Sequence, residues 1–151
     1  MIDVVQKFED YATAAGYEFA YGREGVKNWQ LSEGVTLSAG KIVLLVDPFI
    51  ETAQIDNSII FKWSVATTIA LGKKFDVTVA SGTYSQLDET DLQKYDRRLQ
   101  AMRSNMETLL KTIFCNDDDL ELTSARVLME MNRFDENIEI VAAEITFLYE
   151  S

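Results

Sequence analysis

The stretch IIFKWSVATTIAL, Ile59 to Leu71, decides how this chain folds. Ile59, Phe61, Trp63, Val65, Thr67, Ile69 and Leu71 alternate with Lys62, Ser64, Ala66, Thr68 and Ala70. A period of two is what a β-strand imposes, because successive side chains leave opposite faces. A strand of this length spans ~40 Å, more than a small core covers, so part of it is expected to project or bend. The first face demands an apolar partner layer. The second is small and weakly polar rather than charged, so it can meet water or receive another subunit.

Working toward the N-terminus, Asp47-Pro48 separates this strand from Ile42–Val46, a continuous apolar run of the kind a strand covered on both faces requires. Residues 22–38 are dotted with glycine and read as a loop that holds Trp29. Tyr17–Tyr21 reads as a short strand with Tyr17, Phe19 and Tyr21 on one face. Before it, Val4, Phe8, Tyr11 and Ala15 recur at spacings of four, three and four, one stripe of a short helix. Asp3 and Gln6 have the capping-box spacing at its start, and Gly16 suits the left-handed residue that ends it.

Working the other way, Phe75, Val77 and Val79 form a second β-prone run. A long helix then spans Asp88 to Phe114, with Asp88 as N-cap and Leu87 and Leu92 in staple positions. Leu92, Tyr95, Leu99, Met102, Met106, Leu109 and Ile113 form a seam at spacings of three and four. That seam needs either the sheet or the same helix of a neighbour. Asn116 to Asp119 stops the helix. Two strands, 121–131 and 138–149, follow as a hairpin through the polar turn 132–137. The fold expected is α+β: an antiparallel or mixed sheet with a short N-terminal helix and one long amphipathic helix on one face, closed by a C-terminal hairpin, all in a single domain, 1–151.

The chemistry excluded is broad. There is no histidine, which removes the commonest general base and metal ligand, and Cys115 is the only cysteine. No P-loop or dinucleotide-binding glycine pattern occurs. Asp117-Asp118-Asp119 lacks the alternation of a calcium loop and reads as a solvated helix stop. Cys115, near a helix C-terminus that raises rather than lowers a thiol's pKa, reads as a buried structural thiol. No catalytic residue, metal or cofactor is expected, and the chain does not read as an enzyme. Acids outnumber bases 25 to 14, a net charge of −11 that repels nucleic acid and anionic membranes. The N-terminus carries acid where a secretory leader wants base, so no leader is expected. No uncharged stretch exceeds 11 residues, against the ~20 a membrane span needs.

The order of elements, above all the strand Ile59–Leu71, the helix Asp88–Phe114 and the closing run Arg126–Tyr149 with its terminal Phe147 and Tyr149, resembles the tail-terminator (tail-completion) proteins of long-tailed bacteriophages and related small head–tail connection proteins. The likeness spans nearly the whole chain as a pattern of elements, with no anchoring motif. It implies a ring, usually a hexamer, that caps the tail tube and joins it to the head. In that family neighbouring sheets line a central channel, helices lie outside and loops grip the tube protein. By this resemblance Lys62, Ser64, Ala66 and Thr68 help to build the inner ring. The loop 47–57, with Phe49 and Ile50 near its tip, is the tube-binding arm, and Phe134 in the closing turn joins the contact residues. DNA would pass the acidic channel without specific binding, and the protein would reside in the virion after assembly in the host cytoplasm. The segments 22–38 and 72–85 are longer than the family pattern. The alternative is a small acidic adaptor or chaperone-like module that dimerises through the helix seam.

Overall fold

The structure, a computed structural model, describes residues 3–22, 41–74, 99–133 and 138–150, with the backbone alone at 74, 129–133, 138 and 139. Its elements in chain order are α1 (Val4–Ala15), β1 (Glu18–Tyr21), β2 (Ile42–Val46), β3 (Ile50–Asp56), β4 (Ile59–Lys74), α2 (Gln100–Phe114), β5 (Leu120–Arg133) and β6 (Ile138–Tyr149). The protein is α+β with a mixed six-stranded sheet. The strands run β1-β2-β4-β6-β5, and β3 also pairs with β4. β1 and β2 are parallel; the other pairings are antiparallel.

α1 forms where the capping chemistry places it. Asp3 Oδ1 accepts from the Gln6 amide at 3.0 Å, and Gly16 closes the helix at φ 74° with its N–H on Ala12 and Thr13 carbonyls. The Gln6 side chain donates forward to Asp10 Oδ1 rather than completing the reciprocal box. The buried stripe is Val4, Phe8 and Ala12, with Tyr11 half-buried; Ala15, expected inside, is exposed. In α2, Leu99, Met102, Met106, Leu109 and Ile113 are buried. They share one cluster with α1 and with Leu44, Val46, Val65, Ile69, Leu71, Val141, Ala143, Ile145 and Phe147. Both helices therefore cover one face of the sheet, and the described part of the seam packs on the protein's own strands. The rest of the expected helix, from Asp88, lies outside the described residues, as do Phe75–Val79 and Trp29.

β4 keeps the expected alternation and runs on through Gly72 to Lys74. Its core half, Val65 to Leu71, is buried on the helix side. Its other half carries β3, and this corrects one expectation: 47–57 is not a loop. Residues 50–56 form a strand that pairs with β4, and the tip is Asn57-Ser58, whose φ values of 48° and 65° are those of a two-residue type I′ hairpin turn.

β2 and β3 lie end to end along the same flank of β4. Val46 faces Ile69 and Ile50 faces Ala66, so the three residues Asp47, Pro48 and Phe49 oppose only Thr67 and Thr68. This bulge sits where proline removes a donor from the ladder. The Asp47 amide donates to the Thr68 carbonyl at 2.9 Å, and the buried Thr67 hydroxyl donates to the Asp47 carbonyl at 2.7 Å. One extra residue inverts the faces beyond it. Phe49 therefore turns into the core while Ile50 turns to the opposite side.

There Phe49 closes a cycle of four phenylalanine rings. Phe8–Phe49, Phe49–Phe147, Phe147–Phe114 and Phe114–Phe8 have centroid separations of 6.5, 5.9, 5.1 and 6.3 Å, in edge or tilted contact. Such pairs add to plain burial because ring edges meet ring faces. The cycle ties α1, the bulge, β6 and α2 together.

At the end of α2, Ile113 and Phe114 take the inward positions and leave Cys115 exposed, so the expected buried thiol is corrected. Asp117 is more than a solvated stop. Lys7 donates to its carboxylate from α1, and the Asp119 amide donates to it at 2.9 Å. The lysine contact first, then the amide, hold that carboxyl below its ordinary range.

Phe49→Ala should destabilise the protein by about 2–4 kcal/mol, measured by urea unfolding; an unchanged midpoint would mean the ring is not part of the core. Met106→Asp should leave no cooperatively folded protein, because an unpaired charge would enter a dry cluster. A folded, monomeric Met106→Asp variant seen by circular dichroism and size exclusion would instead assign the seam to a subunit contact.

Candidate interaction surface

The face of the sheet away from the helices is divided. At one end Val43, Leu45, Ala70, Ile140 and Ala142 are buried in a second apolar cluster. At the other end the same face opens into a groove of about 710 Å³, with Pro48, Ile50 and Ala66 as apolar lining and Thr68, Ser124, Arg126, Glu144 and Thr146 as polar lining. The division follows from sequence. Alternate residues of β4 beyond Thr68 are Ala70 and Gly72, small enough for close cover, whereas Ser64, Ala66 and Thr68 remain half-buried.

Three of the expected contact residues, Ile50, Ala66 and Thr68, come together in this groove. Ser64 lies in the pairing between Thr52 and Leu148, outside the groove lining. Lys62 is further along, 3.9 Å from Glu150 and beside Asp118, Asp119 and Glu121. Phe49 is not at a tip; the bulge places it in the aromatic cycle. Phe134 lies outside the described residues. Ser124, Arg126, Glu144 and Thr146 carry no signal in the sequence: counting outward from the turn 132–137 sets Arg126 opposite Ala143, and the register shift between Glu130 and Arg133 moves it opposite Glu144, at 4.0 Å.

The second feature is the β3–β4 hairpin, an arm that leaves the core. Ile55 is 63% exposed, Ile59 67%, Ile60 44% and Phe61 48%, and Ile50 at its root is 70% exposed. A register shift between Gln54 and Ile55 puts the extra residue, Phe61, on β4 near the tip. The root is fastened by Tyr149, only 3% exposed, whose hydroxyl donates to Glu51 Oε1 at 2.8 Å. Burial first, then the hydrogen bond to Glu51 and its negative charge, push the Tyr149 hydroxyl up to about 12.

Among the described residues no group of three His, Cys, Asp or Glu side chains could hold a metal ion, and no helix is long and apolar enough to cross a membrane. What the described surface offers is an apolar projection beside an open, small-residue concavity. No family model matches the chain, and no curated protein does either.

The folded state keeps Tyr149 protonated to a higher pH than the unfolded chain, so its contribution is constant below about pH 10 and is lost as pH rises from there through about 12. Tyr149→Phe should flatten that alkaline decline. At neutral pH it should cost about 1 kcal/mol, read from urea midpoints across the pH series; an equally steep decline in the variant would show that another group titrates.

Proposed function

We infer that this chain is a structural subunit that works by assembling with copies of itself into a ring, of the tail-terminator or head–tail connection kind that closes a phage tail tube and joins it to the head. The observation that carries the reading is the arm. Four large apolar residues, Ile55, Ile59, Ile60 and Phe61, stand exposed at the end of a paired hairpin, and exposed apolar surface gathered in one place often marks a protein contact.

Other features support it. The two-layer body puts helices on one side and leaves half of the opposite sheet face open, as a subunit with its sheet toward a channel requires. The net charge of −11 lets DNA pass a channel wall without adhering. The arm tip at Ile55–Phe61, rather than Phe49, is the part that would reach the tail tube protein or a neighbour. A dimeric adaptor joined through the long helix is less well supported, because Met102, Met106, Leu109 and Ile113 already pack on the protein's own sheet.

Light-scattering mass after size exclusion, over a range of concentration and salt and with negative-stain imaging, tests the reading. The chain weighs 17.1 kDa, so six copies give about 103 kDa. Ring-shaped particles of about that mass, alone or on added tail tubes, are the expected result. A stable dimer, or a monomer that also leaves tail tubes uncapped, would overturn it.

A further inference from the structure

We propose that the arm of one copy seats in the groove of the next, tip residues Ile55, Ile59, Ile60 and Phe61 against Pro48, Ile50 and Ala66. The contact is thus head-to-tail rather than two-fold. This rests on the ring reading and specifies its joint.

The arm of a copy cannot fill that copy's own groove. Ile50 both lines the groove and begins β3, and the pairing from Ile50–Ala66 to Asp56–Ile59 holds the arm extended away from that point. Projection and concavity in one copy therefore do not meet each other, and the arm of a second copy is the occupant proposed for the groove. Polar groups match as well. Asp56 stands exposed next to the turn, and Arg126 in the groove wall keeps 74% of its side chain exposed beside Glu144. The hydroxyls of Thr68, Ser124 and Thr146 are placed to meet the polar turn Asn57-Ser58.

Area decides what kind of assembly this makes. The exposed tip amounts to on the order of 400 Å² of apolar surface, within the range of the largest patch on a monomer. Arm plus groove would then bury well below the ~1,200 Å² at which specific pairs become stable. One such joint gives a weak dimer. A closed ring gives every copy two joints, so assembly is expected to jump from monomer to ring with little dimer between. A heterologous contact of this kind closes into a ring when its rotation divides the circle. Each copy carries −11, so added salt should favour closure by screening repulsion.

The test uses the full chain with Cys115→Ala, which removes the exposed native thiol. Ser58→Cys in the arm turn and Ser124→Cys in the groove are made separately, mixed at concentrations that give assemblies, and treated with a short bis-maleimide. Covalent dimers should exceed those of either variant alone by at least about tenfold. Phe61→Glu should leave the melting temperature unchanged and raise the concentration at half-assembly by at least about tenfold, the equivalent of about 1.4 kcal/mol. Dimers from Ser58→Cys alone would show arm-to-arm pairing and overturn the proposal. So would rings that form without Ser58–Ser124 cross-links, and that result would leave the ring reading standing. Absence of any assembly, with or without tail tubes, would sink both.

Discussion

Three residues stand opposite two where β2 gives way to β3, and much of the molecule follows from that mismatch. Without the extra residue, a strand continuing from Val46 would keep its alternation, and Phe49 would leave on the side away from the helices. Because Pro48 cannot donate to the ladder, the strand breaks there, and the Thr67 hydroxyl takes up the Asp47 carbonyl that the break strands. The inverted register delivers Phe49 to Phe8 and Phe147, and Ile50 to the groove. One local irregularity thus completes the core on one face and shapes the concavity on the other.

The two faces divide the work. Among the described residues the helix side is apolar apart from the buried Thr67, and its seam packs on the protein's own strands. The opposite side is closed only where Val43, Leu45, Ala70, Ile140 and Ala142 meet. Its other half carries threonines, serine and one exposed arginine, a surface that neither demands cover nor resists it. The arm extends from this half, along a strand whose far portion belongs to the core. Tyr149 joins the two regimes, since its ring is buried with the helices while its hydroxyl holds Glu51 at the root of the arm.

Much of this was legible in the residues. Alternation over Ile59–Leu71 located the central strand and the need for part of it to project. The three–four spacing of Met102, Met106, Leu109 and Ile113 gave the helix its buried side, and Asp3 and Gly16 gave α1 its ends. The arm is not legible as a strand, because Ile50–Asp56 mixes apolar and charged residues without a clear period. Its partner on β4 supplies the order that the segment itself lacks. Asn57 between Ile55 and Ile59 was the available sign of a turn. The bulge was not legible, since nothing in Asp47-Pro48-Phe49 says how many residues will face it. Cys115 departs from the buried position expected of it because one helical step past Phe114 separates the inside from the outside. Arg126 and Glu144 could be paired only once the register of the closing hairpin was known.

The position of β6 also governs the order in which the molecule can be made. It lies between β4 and β5 and faces β4 from Trp63–Tyr149 to Lys74–Ile138, yet it follows every other described element in the sequence. Until the ribosome has delivered β6, β4 has one flank unpaired and the inward rings of Phe8, Phe49 and Phe114 lack Phe147. The nascent chain therefore carries an open strand edge and an apolar arm together through the second half of its synthesis, the state in which chains are most prone to misassociate. Late closure by long-range pairing is slow compared with hairpin formation. The surplus of acid gives the unfinished chain mutual repulsion during that interval, a protective role for the charge separate from any it has in the finished protein.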